Sequence, residues 1–194
     1  GIDPCHCNSY LIRGKARFNK GDYQKAIADY TEALKLDSSN PQPYLIRGSI
    51  YLLLWDFTSA IADFKKVLIL DPLNPDAYRQ LGEAYFFDSD HDLAEDNLSK
   101  ALAINNKDMV ARFYRGIVRA EKGRYRKAKE DYEKILELKP NHDKAYLIRG
   151  AIHFKKGEYD LSISIYDDAI NSNPDDELAY FNRGKAFAAK GEYG

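Results

Sequence analysis

The chain has 194 residues and a formal charge of -1 from 29 basic and 30 acidic side chains. That balance gives no bulk attraction to nucleic acid or to an anionic membrane surface, and no stretch approaches the roughly 18 consecutive apolar residues of a membrane span. The two cysteines, Cys5 and Cys7, lie too close for an unstrained mutual disulfide, and no secretory signal opens the sequence, so the expected compartment is the cytoplasm.

Residues 1–6 form a leader in which Ile2-Asp3-Pro4 stands in register with Leu70-Asp71-Pro72, so it reads as a cloning remnant or as the tail of a preceding repeat. From residue 7 the chain is periodic. Gly14, Gly48, Gly82, Gly116, Gly150 and Gly184 follow one another at 34 residues with no insertion or deletion. They set repeats at about 7–40, 41–74, 75–108, 109–142 and 143–176 and a half repeat at 177–194, a single array that reads as a fragment of a longer protein. A fixed period of this length marks a supersecondary unit that buries its apolar face only by stacking on its neighbours.

Within each repeat the residue four before the glycine is Tyr10, Tyr44, Tyr78, Arg112, Tyr146 or Tyr180, and the residue three after it is Arg17, Tyr51, Tyr85, Arg119, His153 or Phe187. These spacings place both series on one helical face, where glycine leaves room for another helix. Gly21, Trp55, Ser89, Gly123, Gly157 and Gly191 come seven residues after the glycines and predict a turn; glycine there tolerates a left-handed helix end. A second helix follows, with Ala26, Ala60, Ala94 and Ala128 as its small residue and Tyr30, Phe64, Leu98, Tyr132 and Tyr166 as its large one. Ala33, Val67, Ala101, Ile135 and Ala169 complete the apolar series, and Pro72, Pro140 and Pro174 close three units. Helices of roughly 13 residues are marginal alone in water, so their stability must come from packing.

This series resembles the tetratricopeptide repeat over nearly the whole chain, as five full repeats and the first helix of a sixth. The resemblance implies an all-α fold: a right-handed α-solenoid superhelix of antiparallel helix hairpins, first helices on the concave face and second helices on the convex one. It also implies a non-catalytic protein-protein interaction scaffold that holds a peptide or helical segment of a partner in the concave groove. Two other readings stand beside it, a targeting or substrate-recruiting arm of a larger enzyme and a self-association module forming a homo-oligomer.

One departure from that family is systematic. Where leucine is common just before the glycine, this chain has Arg13, Arg47, Arg115, Arg149 and Arg183, with leucine only at Leu81. The matching positions on the second helix are Asp29, Asp63, Asn97, Asp131 and Ile165, so arginine meets aspartate in three units. Partly buried Arg–Asp pairs inside each hairpin are therefore expected, with solvated charges at the hairpin edge as the alternative.

If first helices line a groove, its face is unusually apolar. Tyr-Leu-Ile-Arg-Gly occurs three times and places Leu11, Ile12, Leu45, Ile46, Leu147 and Ile148 there, while Phe113 and Tyr114 supply the fourth unit. Lys15, Ser49, Leu53 and Phe86 join them as candidate partner-binding residues. Such a strip suits an amphipathic helix or an extended peptide with apolar anchors, although the same side chains could instead pack adjacent first helices together. The lysine and asparagine with which family members clamp a chaperone C-terminal carboxylate have no counterpart: the two places hold Leu11 with Lys15, Leu45 with Ser49, Arg79 with Glu83 and Phe113 with Ile117. The asparagine ladder of sugar-transferase relatives is missing as well.

Charge is uneven along the array. Residues 75–108 carry eight acids and three bases, and residues 109–142 five acids and ten bases, so the two repeats differ from about -5 to +5. An acidic-peptide site or a solvated basic face would both account for this. Cys5-His6-Cys7 lacks the further ligands a zinc site needs, and Asp88-Ser89-Asp90-His91-Asp92 has Leu93 and Ser99 where a calcium loop requires glycine and glutamate. Asn97-Leu98-Ser99 matches a glycosylation acceptor but falls inside a predicted helix. No cofactor, metal or catalytic residue is expected.

Overall fold

The computed structural model describes residues 4–139 and 143–191. Gly1 to Asp3, Pro140 to His142 and Glu192 to Gly194, which include Ile2 and Asp3 of the leader and the closing Pro140, lie outside the described residues. Eleven α-helices and no strand occur among the described residues: α1 (Pro4–Asn19), α2 (Tyr23–Leu36), α3 (Pro41–Leu53), α4 (Phe57–Leu70), α5 (Pro75–Phe87), α6 (His91–Ile104), α7 (Met109–Glu121), α8 (Tyr125–Leu138), α9 (Asp143–Lys155), α10 (Tyr159–Ser172) and α11 (Glu177–Lys190). The fold is all-α, as the periodicity requires. Helix α1 begins at Pro4, so part of the expected leader is helical.

Local chemistry explains both ends of the helices. Asn40, Asn74, Asp108 and Asp176 cap α3, α5, α7 and α11, their side-chain oxygens accepting from Gln42, Ala77, Ala111, and Leu178 with Ala179. Proline follows directly in Pro41 and Pro75, where a missing N–H costs nothing. At each turn between first and second helix, one backbone N–H reaches five residues back: Asp22 to Arg17, Asp56 to Tyr51, Asp90 to Tyr85, Arg124 to Arg119 and Glu158 to His153. This closure requires a left-handed residue between. Gly21, Gly123 and Gly157 supply it without strain, whereas Trp55 (φ 63°) and Ser89 (φ 66°) adopt it with a side chain attached. The Asp88 to Asp92 segment is thus a turn whose Asp90 caps α6 by accepting from Leu93.

Helices α1 to α6 form one unit and α7 to α11 a second. In both, successive helices pack as neighbours, each first helix against its own second helix and each second helix against the next first one. The second-helix series predicted from spacing forms the core: Ala26, Ala60, Ala94 and Ala128 are inaccessible, and so are Ala33, Val67, Ala101, Ile135 and Ala169. Above them Phe64, Leu98 and Tyr132 are equally buried, with Tyr30 and Tyr166 almost so. Each faces a ladder glycine. A Cβ built on Gly48, Gly82, Gly116 or Gly150 would fall 2.5–2.7 Å from Phe64, Leu98, Tyr132 or Tyr166, while one on Gly184 meets nothing within 4 Å.

The first-helix stripe is only partly where expected. Tyr85 and His153, three after the glycine, are buried, but Tyr10, Tyr44, Tyr78 and Tyr146 are half-buried and Tyr180 is exposed; burial is more regular at Ala77, Ala111, Ala145 and Ala179, five before the glycine, and at Ile50, Ala84, Val118, Ile152 and Ala186, two after it. The tyrosines lie beside the arginines, with Arg13, Arg47 and Arg183 over the rings of Tyr10, Tyr44 and Tyr180 at 5.3, 5.7 and 5.4 Å.

Candidate peptide-binding groove

The expected ion pairs form and hold the first helices against the second. Arg47 donates from Nε and Nη2 to the two oxygens of Asp63 at 2.8 and 2.7 Å, and from Nη1 to Thr31 of the preceding hairpin at 2.8 Å. Asp29 is reached by Arg13 at 2.7 Å and by Arg17 at 2.8 Å. Asp131 is reached by Arg115 at 2.5 Å and Arg119 at 2.7 Å. All three carboxylates are buried, but Arg47 and Arg115 are largely covered while Arg13 is 55% exposed, so the pairs are partly buried. Hydrogen bonding from Arg13, then the charges of Arg13 and Arg17, hold the Asp29 carboxyl below its usual range against the opposing effect of burial. Asn97, which replaces aspartate opposite Leu81, donates to the Leu93 carbonyl at 2.8 Å. Opposite Arg149 stands Ile165, and the Arg149 Nε is buried with no hydrogen-bond partner.

These pairs also account for much of the basic block. Arg115 and Arg119 are engaged with Asp131, and Lys129 lies 3.4 Å from Glu133. The sequence places Arg17 and Arg119 on the right face, but not as second ligands of the same aspartate.

None of the candidate partner-binding residues is fully buried, and the structure sorts them by environment. In the first unit Leu11 and Ile46 are half-buried and pack against the cluster of Ala26, Tyr30 and Ile50. Ile12 is 72% exposed, Leu53 54% exposed, and Lys15 is exposed without an ion pair among the described residues. Leu45 is half-buried, and Ser49 hydrogen-bonds to Gln80 of the next first helix. Phe86 is engaged with Phe87 and His91, at ring-centroid distances of 5.1 and 6.2 Å. In the second unit Phe113 and Ile148 pack on the cluster containing Tyr132 and Ile152, Leu147 packs on that of Ile163 and Tyr166, and Tyr114 lies edge-on to Phe113. Packing against the core clusters therefore accounts for Leu11, Ile46, Phe113, Leu147 and Ile148, each of which also keeps part of its surface open to solvent.

Four of the candidates come together around a cavity. Leu11, Ile12 and Lys15 of α1 and Ile46 of α3 line a space of about 250 Å³ with Tyr30, Asn40, Gln42 and Pro43. Leu11, Ile12, Pro43 and Ile46 make its lining apolar in part, and Lys15, Tyr30, Asn40 and Gln42 bring polar groups to it. Tyr30 was legible only as a packing residue, and burial together with the charge of Asp29 raises its pKa, keeping the hydroxyl a donor. Asn40, Gln42 and Pro43 went unread because they belong to the start of α3, outside the glycine-centred helical face.

Family profiles described as TPR repeat match residues 14–54 and 150–191, and profiles described as tetratricopeptide repeat match residues 54–108 and 110–142. A search of curated protein sequences returns no match. Among solved structures, MamA is 32% identical with a TM-score of 0.79, over 83% of this chain and 94% of its own. YrrB, described as a TPR protein with an unusual peptide-binding site, is 27% identical with a TM-score of 0.77 over 89% of each chain. A tetratricopeptide repeat protein from Parabacteroides merdae ATCC 43184 has a TM-score of 0.87 at 21% identity, over 96% of this chain and 74% of its own, and shares the fold. With its 34-residue hairpins, its glycine contacts and these matches along its length, the chain belongs to the tetratricopeptide repeat family.

Proposed function

We propose that this protein is a non-catalytic interaction scaffold that binds a peptide segment of a partner protein along the face of its first helices. The observation that carries this reading is that the first helices of each unit present partly exposed apolar side chains, α1 and α3 in the first and α7 and α9 in the second, held by ion pairs with buried carboxylates and, in the first unit, lining a cavity. Rigid helices presenting apolar anchors with polar groups at the edge suit capture of an extended or helical peptide. The similarity to YrrB, a TPR protein with a peptide-binding site, adds support. Among the described residues no cluster of three potential metal ligands occurs, and no helix is long and apolar enough to cross a membrane.

The test is binding of a displayed peptide library to the wild-type chain and to the double variant Leu45→Glu with Leu147→Glu, with circular dichroism to verify helicity. Loss of all binders at unchanged helicity is expected. Retention of the same binders by the double variant would refute the groove.

A second reading, self-association, is favoured by an aromatic group at the turn end of α3 and α5. Trp55 is 70% exposed and lies 5.8 Å from Phe57 and 5.6 Å from Phe87. Light scattering across a dilution series, repeated on Trp55→Ser, separates a dimer built on this patch from a monomer.

A further inference from the structure

The turn between first and second helix follows one pattern in most of the chain. Lysine lies six residues after the ladder glycine and a second glycine seven after it, as Lys20-Gly21, Lys122-Gly123, Lys156-Gly157 and Lys190-Gly191. Two adjacent repeats abandon both residues together and have Leu54-Trp55 and Asp88-Ser89 instead. The backbone does not follow them: Trp55 and Ser89 keep the left-handed conformation that suits glycine, at φ 63° and 66°. Lysine and glycine would give these turns a solvated side chain and a relaxed backbone, so their joint loss calls for a reason other than folding.

The two altered turns meet in one surface. The Trp55 ring lies edge-on to those of Phe57 and Phe87, at 5.8 and 5.6 Å, and Phe57 and Phe87 stack at 6.0 Å. Trp55 is nevertheless 70% exposed, and Leu54 and Phe87 are exposed as well.

The charge around these rings is of one sign. No lysine or arginine occurs from residue 48 to 64 or from 80 to 99. Asp56 follows Trp55 and Asp88 follows Phe87; both are exposed and neither has an ion pair among the described residues. One Asp56 oxygen accepts the Ser59 N–H at 3.0 Å as the cap of α4, which leaves the negative charge uncompensated.

These features restrict the occupant. An exposed indole flanked by carboxylates attracts a cation, and tryptophan is the strongest aromatic partner for one. The ring separations are those of direct contact, so the rings enclose no cage for a quaternary ammonium group. A planar guanidinium lies flat on the open indole face and turns its N–H fork toward a carboxylate beside it, whereas a lysine ammonium keeps its hydration. A second copy presenting the same patch would set Asp56 and Asp88 against their own kind.

We propose that the turns after α3 and α5 form a docking surface for an arginine-bearing segment of a partner protein, its guanidinium stacked on Trp55 and paired with Asp56 or Asp88. This surface is separate from the first-helix groove and does not depend on it.

Trp55 is the only tryptophan in the chain, so intrinsic fluorescence reports on this surface directly. The test titrates the full chain at low ionic strength with an N-acetylated, C-amidated hexapeptide carrying two arginines between leucines. The same peptide with lysine, or with citrulline as the neutral isostere of arginine, serves for comparison. The arginine peptide is expected to give a saturable change in Trp55 emission, with affinity about fivefold lower for lysine and no response to citrulline. Asp56→Asn with Asp88→Asn, which keeps a capping side chain on α4, should weaken arginine binding about fivefold. Trp55→Gly suits the left-handed turn; read by anisotropy of a labelled peptide, it should abolish arginine binding while helicity and the groove's library binders are unchanged. Leu45→Glu with Leu147→Glu should bind the arginine peptide as the wild type does. Equal affinity for citrulline or lysine, unchanged affinity on the asparagine variant, or no saturable response would overturn the proposal, whatever the peptide library shows for the groove. Loss of arginine binding on the Leu45 and Leu147 variant would move it to the groove and refute a separate surface. A dimer that Trp55→Gly dissolves would make a second copy the occupant and refute the arginine site.

Discussion

Alanine at Gly116 places a methyl group 2.5 Å from Cζ and 2.7 Å from the hydroxyl oxygen of Tyr132, a ring with no solvent exposure. The same substitution at Gly184 meets no atom within 4 Å. Both sites are helix interior, so both changes gain about 0.8–1 kcal/mol of helical propensity. At Gly116 that gain is opposed by overpacking of about 1–3 kcal/mol, because the ring cannot move without parting α7 from α8. Gly116→Ala should therefore be destabilised by up to about 2 kcal/mol, and Gly184→Ala should be stabilised by about 1 kcal/mol within α11. Gly14→Ala falls between, since its methyl stands 3.3 Å from Asp29 Cβ and from Tyr30 Cζ. Urea denaturation followed by circular dichroism reads the series, with native-state hydrogen exchange of the α11 amides for the terminal site, where opening is local. If Gly116→Ala gains as much stability as Gly184→Ala, or Gly184→Ala loses as much as Gly116→Ala, the glycine ladder is not a contact ladder.

Three further outcomes can be checked by the same denaturation assay. Ser89→Gly relieves a left-handed residue and should stabilise by about 1 kcal/mol, whereas Trp55→Gly should gain less or lose, because it also removes ring contacts with Phe57 and Phe87. Asp131→Ala leaves Arg115 and Arg119 without their buried carboxylate and should cost about 3 kcal/mol or more. The folded-state pKa of Asp29 is depressed, so its contribution is present above the unfolded carboxylate value of about 3.9 and is lost as pH falls through the lower folded value. The difference in urea midpoint between wild type and Asp29→Asn should stay constant between neutral pH and about pH 5 and shrink below about pH 4; a difference that grew on acidification would contradict the pairing.

The second helices were legible because one period governs all of their contacts: Ala26 and Tyr30 and their equivalents are buried in every complete repeat, the small residue being alanine in four and, in the fifth, Ser162, which donates to the Gly150 carbonyl. The Arg–Asp pairs were legible through their covariation, Leu81 appearing where Asn97 replaces aspartate. First helices mislead because they answer to two neighbours at once. Tyr10 and Tyr44 recur as faithfully as any core residue, yet their conservation of type within the chain serves the arginine beside them, while small alanines such as Ala111 and Ala145 carry the packing. The left-handed turn was readable from glycine at Gly21 and Gly123, but at Trp55 and Ser89 only the repeat register, not the residue, announces it. The cavity was half legible: Leu11, Ile12, Lys15 and Ile46 follow from the groove face, but Asn40, Gln42 and Pro43 belong to the start of α3, outside the glycine-centred face.

The Arg47 fork joins the first two hairpins, since it grips Asp63 of its own hairpin and Thr31 of the one before. In the third repeat Leu81 stands in its place and can make no such grip. The first two hairpins are therefore fastened to one another by a charged clasp, whereas the junction between the second and third has, besides apolar contact, the neutral hydrogen bond from Ser49 to Gln80 and Lys65 over the Tyr85 ring. The two junctions differ in kind, and Thr31→Val, which removes the acceptor of the Arg47 bond, loosens the first and leaves the second as it is.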